Sequence, residues 1–206
     1  VVGEWETAAT AVHEATGLDD PPVSAFELAV MCGLRLCPWG RGDAALVAKM
    51  IRYPRSARPT RQHGLVAHEL AHWALSRSGE EDHESAARYV AGALMLPRRV
   101  FDRDLAQTWH IARLQERHPN ASAEMIARRL VQLRSARAAV FDQGKLRASF
   151  RSLDLAHPPV TSHMRELAAE ALCSGALAGE ERAYAWPVID PPWHRVIVVC
   201  AASGGE

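Results

Sequence analysis

The chain is short of cysteine, aromatic residues, surplus charge and long apolar runs, and each shortage closes off a class of protein. Its four cysteines, Cys32, Cys37, Cys173 and Cys200, are scattered through apolar stretches. That is too few for a disulfide framework, and the expectation is buried free thiols in a reducing compartment. Cys32 and Cys37 lack the second C-x-x-C pair that would make them half of a usual zinc site. Lys+Arg and Asp+Glu both number 24, so the formal net charge is zero. A neutral chain is not built for strong non-specific binding to nucleic acid, although a local basic patch escapes that argument. No apolar run approaches the ~18 residues needed to cross a bilayer, and the N-terminal stretch lacks the apolar core of a signal peptide. No membrane partner and a cytoplasmic location are therefore expected. The length, 206 residues, suits one large domain or a domain with an appendix.

What is present is a run of chemistry in an otherwise apolar helix pattern: His68-Glu69-Leu70-Ala71-His72. Two histidines four residues apart share one helix face, their Cβ atoms about 5–6 Å apart. From that spacing both imidazoles can reach one zinc ion at about 2.0–2.1 Å each. Glu69 follows the first histidine and projects beside it, where it can take a proton from an activated water. Leu65, Val66, Ala67, Leu70, Trp73, Ala74 and Leu75 keep this helix in a core, and Ala71 leaves room beside the histidines. A hydrogen-bonded core pair is the plain alternative. It leaves three polar groups in an apolar helix at a cost of about 1–3 kcal/mol each if unpaired. A metal satisfies all three together.

Upstream, residues 4–16 read as a helix ending at Gly17, and Ser24 with Glu27 forms a capping box for a second helix ending at Gly33. Leu34 to Cys37 alternates like a strand, and Ala45 to Ala48 and Met50 to Tyr53 read as two short strands of a small sheet. Arg52, Arg55, Arg58 and Arg61 line its edge and read as a solvated rim rather than a substrate clamp. Pro59 and Thr60 open the metal helix, with Thr60 as its expected N-cap, and Ser78-Gly79 breaks it. The next helix is expected to open with Glu80-Glu81-Asp82-His83-Glu84 and to stop at Pro97; acidic residues in a first turn complement the helix dipole without any further role.

A peptidase-type zinc site wants a third protein ligand and an open position for water. On a helical wheel Glu81 and Asp82 face away from the apolar side. His83 and Glu80 lie near its centre and Glu84 toward its flank, so periodicity does not choose between His83 and Glu84.

Three features together resemble the ImmA/IrrE family of bacterial metallopeptidases. They are an early helix leading into a short sheet (26–53), the His68-Glu69-Leu70-Ala71-His72-Trp73 helix, and the run Glu84-Ser85-Ala86-Ala87-Arg88-Tyr89-Val90-Ala91 leading to Leu94-Met95-Leu96-Pro97. The last is similar to the family's E-x-x-A-N-x-F-A-x-x-L-L-x-P segment, and the likeness spans roughly residues 20–140. The resemblance implies that Glu84 is the third ligand, with His68 and His72, and that Glu69 is the catalytic base. Arg88 stands where the family has Asn or Asp, a group that normally steadies a ligand, and Val90 replaces the usual Phe. Zinc is the implied cofactor, with manganese compatible with the same two-histidine, one-carboxylate set.

Farther on, a helix through Trp109 to Arg117, a turn at His118-Pro119-Asn120, and a helix from a Ser122 cap to about Arg137 outline a helix-turn-helix. An αα-hairpin packed in the core is the favoured reading over a DNA reader. From Arg147 the composition shifts to strand, helix and two strands.

The expected fold is α+β and mostly helical: a zincin-like core with a small sheet before the metal helix, a helix-turn-helix-like segment and a small C-terminal α+β unit. The expected domains are 1–146, including the helical segment 105–140, and 147–206. The expected function is a zinc endopeptidase. By resemblance, it cuts a helix-turn-helix transcriptional repressor in a stress or mobile-element response. The rivals are a DNA-binding regulator or a protein-binding module whose metal site is structural or sensory.

Overall fold

The computed structural model describes residues 2–40, 42–79, 83–155, 160–180, 183–190 and 193–202. It divides into two compact units, Val1–Arg103 with Gln115–Ser122, and Asp104–Leu114 with Ala123–Glu206. The fold is mostly helical α+β, with small sheets, as expected. Among the described residues no helix is long and apolar enough to cross a membrane.

In the first unit, α1 (Val2–Thr16) and α2 (Ala25–Met31) precede β1 (Arg35–Trp39), β2 (Ala45–Val47) and β3 (Met50–Pro54). These strands form a sheet in the order β1-β3-β2, with β1 parallel and β2 antiparallel to β3. Ser24 caps α2 by accepting from Glu27 N, as the capping box predicts. Alternation along β3 buries Ile51 completely on the helix side. Tyr53 joins it there, edge-on to Phe26 of α2 at 5.1 Å.

Next comes α3 (Pro59–Ser78), which opens on Pro59 with Arg58 as N-cap and no side-chain cap bond. Thr60 is thus inside the first turn, a correction to its expected capping role; Pro needs no hydrogen-bonded N–H at that position and starts the helix itself. Gly79, at φ 75°, closes α3 in the left-handed conformation that a residue without Cβ adopts cheaply. Helix α4 (Glu84–Met95) packs against α3. Its buried side is largely alanine, glycine and valine, which lets the two helices approach closely. The helix begins at Glu84 rather than at Glu80, because His83 adopts the extended N-cap conformation. Glu80, Glu81 and Asp82 lie outside the described residues.

The chain then forms α5 (Arg98–Gln107), α6 (Ile111–Arg117) and α7 (Ala123–Leu133). The last is shorter than its expected run to Arg137, because Ala136–Asp142 forms strand β4. The second unit's sheet, in the order β5-β4-β8-β7-β6, also contains β5 (Lys145–Arg151), β6 (Ala178–Glu180), β7 (Ala183–Asp190) and β8 (Trp193–Ala201). Helix α8 (Ser162–Ser174) buries Met164, Leu167, Ala168 and Ala171 against Phe141, Val196 and Val198 of this sheet. The expected boundary at 146/147 falls inside β5, which pairs with β4. An apolar stretch from Ala138 to Phe141 can serve helix or strand, and its pairing with β5 and β8 chooses between them.

The helix-turn-helix outline has its arginines engaged within the second unit. Arg129 is fully buried and bonds Gln132. Arg128 pairs with Glu124 and stacks over Phe150 at 4.0 Å. The four cysteines are free, but only Cys200 is buried; Cys173 is exposed, which corrects the expectation that all would be inside.

Candidate metal centre

The apolar face of α3 (Val66, Ala67, Leu70, Ala71, Ala74 and Leu75) is buried. That anchoring leaves the neighbouring face, with His68 and His72, at the margin of the core, each side chain about a quarter exposed at 24% and 23%. One turn of helix brings their rings to a centroid separation of 4.8 Å at 85°, with the two Nε2 atoms 3.3 Å apart.

Glu84, the first residue of α4, spans the pair. Its Oε2 lies 3.5 Å from His68 Nε2 and its Oε1 3.6 Å from His72 Nε2. One atom from each of the three residues lies within 4.8 Å of the others, the cluster of metal-ligand type found among the described residues. Ligands about 2.1 Å from a tetrahedral ion stand roughly 3.4 Å from one another, close to the separations seen. Two imidazole nitrogens and a carboxylate converging on one point form a donor set that fits a divalent cation. Glu84 is 63% exposed, so the centre is open to solvent on its side.

The structure brings Glu84 to the histidines and gives His83 another task. His83 Nδ1 accepts from Ala86 N at 3.1 Å and lies 2.7 Å from Ser85 Oγ, capping α4. Its ring packs edge-on against Trp5 at 5.5 Å. Trp5 also touches Tyr89, whose hydroxyl donates to Glu6 Oε2 at 2.8 Å. Helix α1 thus braces the start of α4, where Glu84 sits. Arg88, one turn along, places Nη2 3.3 Å from Glu84 Oε2.

Glu69 is seated by the sheet. Its Oε2 accepts from the backbone N–H of Leu46 in β2 at 2.7 Å. This contact has no signature in the sequence, because any residue type but proline supplies an N–H. The sequence offers three side chains for stabilising an oxyanion beside the metal, His63, Tyr89 and His163; His63 accepts from Ala25 N and packs on Phe26 at 4.7 Å, and burial holds its pKa below the ordinary histidine range. Tyr89 is turned to Glu6. His163 lies in the second unit, beside Glu166.

Residues 24–131 match the Peptidase M78 family model, described as the IrrE N-terminal-like domain. Among solved structures, the chain resembles a Mycobacterium tuberculosis transcriptional regulator with a TM-score of 0.72 and 15% identity. That likeness covers 97% of this chain and 76% of the other. At that identity it speaks for the fold alone. No curated protein matches the chain.

Proposed function

The chain belongs to the IrrE N-terminal-like peptidase family, whose model spans just over half of it, and from that footing we propose that it is a zinc-dependent endopeptidase of the cytosol. The observation that carries this reading is the convergence of His68, His72 and Glu84, with Glu69, between the two histidines on α3, tethered to the Leu46 amide of β2. The two histidines and Glu84 hold the ion, and Glu69 is the general base. When bound, the ion supplies Lewis acidity to water and to the scissile carbonyl. Glu69 needs one oxygen free and correctly aimed. Tethering Oε2 to the Leu46 amide leaves Oε1 to take a proton from water and return it to the leaving amine nitrogen.

The substrate we infer is a helix-turn-helix transcriptional repressor, whose cleavage relieves repression in a stress or mobile-element response. Family membership supports a protein substrate, and the fold it shares with a transcriptional regulator is consistent with a regulatory setting. A direct DNA-reading role has less support, since Arg128 and Arg129 are occupied by neighbours in their own unit. Incubating the purified chain with a repressor encoded beside it, with and without chelator, tests the proposal. Chelator-sensitive cleavage at a defined bond is expected; an intact repressor at full zinc loading would overturn it.

A further inference from the structure

The arginines along the small sheet remain unused by this chemistry. Residues 33–62 hold seven lysines and arginines against one acid, Asp43, in a chain whose charges otherwise balance. The strand register places several of them. Leu36 pairs with the fully buried Ile51, so both face the helices. The alternate residues Arg35, Cys37 and Trp39 of β1, Met50 and Arg52 of β3, and Val47 of β2 share the opposite, outer face. The Arg52 guanidinium lies 5.6 Å from the Trp39 ring centroid, which ties the two to one side.

Large apolar groups are left in water on this face: Trp39 is 45% and Val47 47% exposed. Among the described residues neither Arg35 nor Arg52 has a carboxylate within ion-pair distance, and the same holds for Lys49 in the β2–β3 turn. A surface that combines unpaired cations with exposed apolar anchors is complementary to a segment carrying carboxylates and apolar side chains. One of its edge strands, β2, is also the strand whose Leu46 amide meets Glu69, the residue that follows His68 on α3. Nucleic acid fits less well, because the exposed ring on this face, Trp39, already carries a guanidinium, and stacking platforms need free ring faces.

We propose that the outer face of the three-stranded sheet docks an acidic, partly apolar segment of the protein substrate, held by Arg35 and Arg52 around Trp39 and Val47. The proposal rests on the peptidase reading for the identity of the partner, but its test does not need cleavage. The full chain is titrated into a fluorescein-labelled peptide alternating glutamate and leucine, and into its glutamine counterpart, with anisotropy as readout. The acidic peptide should bind roughly tenfold more tightly, and the preference should shrink with added salt. Arg35→Gln/Arg52→Gln should erase most of the preference, and Arg35→Glu/Arg52→Glu should reverse it. His68→Ala/His72→Ala should bind the peptide as the unaltered chain does. Equal binding of the two peptides overturns the proposal, as does a preference that survives both arginine pairs. Tighter binding of oligothymidylate through the same arginines would assign the face to nucleic acid instead. Peptide docking with no repressor cleaved would leave this surface standing and remove the peptidase reading; cleavage with no peptide preference would do the reverse.

Discussion

Arg88 and His68 face the same oxygen of Glu84. The guanidinium Nη2 lies 3.3 Å and the imidazole Nε2 3.5 Å from Oε2. The family's usual Asn or Asp at this position would steady a ligand without adding positive charge. Here a cation stands against the carboxylate that the proposed ion would share.

From this competition, Arg88→Asn should tighten metal binding by up to about fivefold at low salt, an effect set by a partly exposed charge and therefore weakened by screening. Competition titration with a chromophoric chelator at two salt concentrations measures it. Unchanged or weaker affinity in Arg88→Asn would show that the arginine supports the ligand instead of opposing the ion.

Glu69→Gln should keep the metal stoichiometry of the parent chain and lower the cleavage rate by about 10²–10⁴-fold, the usual worth of a positioned general base. Metal analysis and a cleavage time course on the same preparation decide it. Near-parental activity would remove Glu69 from the proton transfer.

His83 and Glu84 are adjacent yet predicted to differ in kind. Glu84→Ala should weaken metal affinity by at least about a hundredfold, more than loss of a group that merely orients a ligand. His83→Ala should cost about 0.5–2 kcal/mol of stability through the lost cap while still binding one ion. Paired thermal melts and metal titrations separate the two, and a His83→Ala chain unable to hold metal would reopen the choice of third ligand.

In the second unit, Arg195 bonds Asp142 through Nε at 2.7 Å and Nη2 at 2.9 Å. These bonds, reinforced by the positive charges of Arg195 and Arg147, hold the Asp142 carboxyl below the ordinary value of 3.8. A carboxyl whose pKa is lower folded than unfolded contributes stability above the unfolded value, and loses it as pH falls through the folded one. Acid unfolding should therefore begin as pH drops below about 4, and Asp142→Asn should flatten that slope. Urea melts across this range by circular dichroism provide the check, and parallel slopes in parent and variant would rule out a contribution from the pair.

Leu70 sits between the two histidines in sequence and is fully buried. Truncation to Ala should cost about 2–5 kcal/mol by the usual transfer and cavity terms. If the α3–α4 pair holds the metal as proposed, added zinc should recover part of the loss. A melt that zinc leaves unmoved would mean that the helix pair does not form the ion site.

The helix of the histidine pair, the small sheet before it and two candidate donors are legible from residue order alone, because each depends on neighbours within one turn or one strand. Spacing of four puts His68 and His72 on one face in any helix, and the apolar flanks bury the adjoining face. The third donor is different in kind. Residues 83 and 84 are both plausible by periodicity, and the choice between them depends on where α4 begins. The structure starts α4 at Glu84, with His83 turning its ring back to cap Ala86 and packing on Trp5 from a distant helix. The same holds for Leu46, whose contribution is a backbone amide presented by strand pairing, and for β4, whose apolar run takes its conformation from β8. Local order determined what could bind a metal; contacts between segments far apart in sequence decided which groups meet, since a side chain's direction is fixed by its packing partners and not by its position in the list.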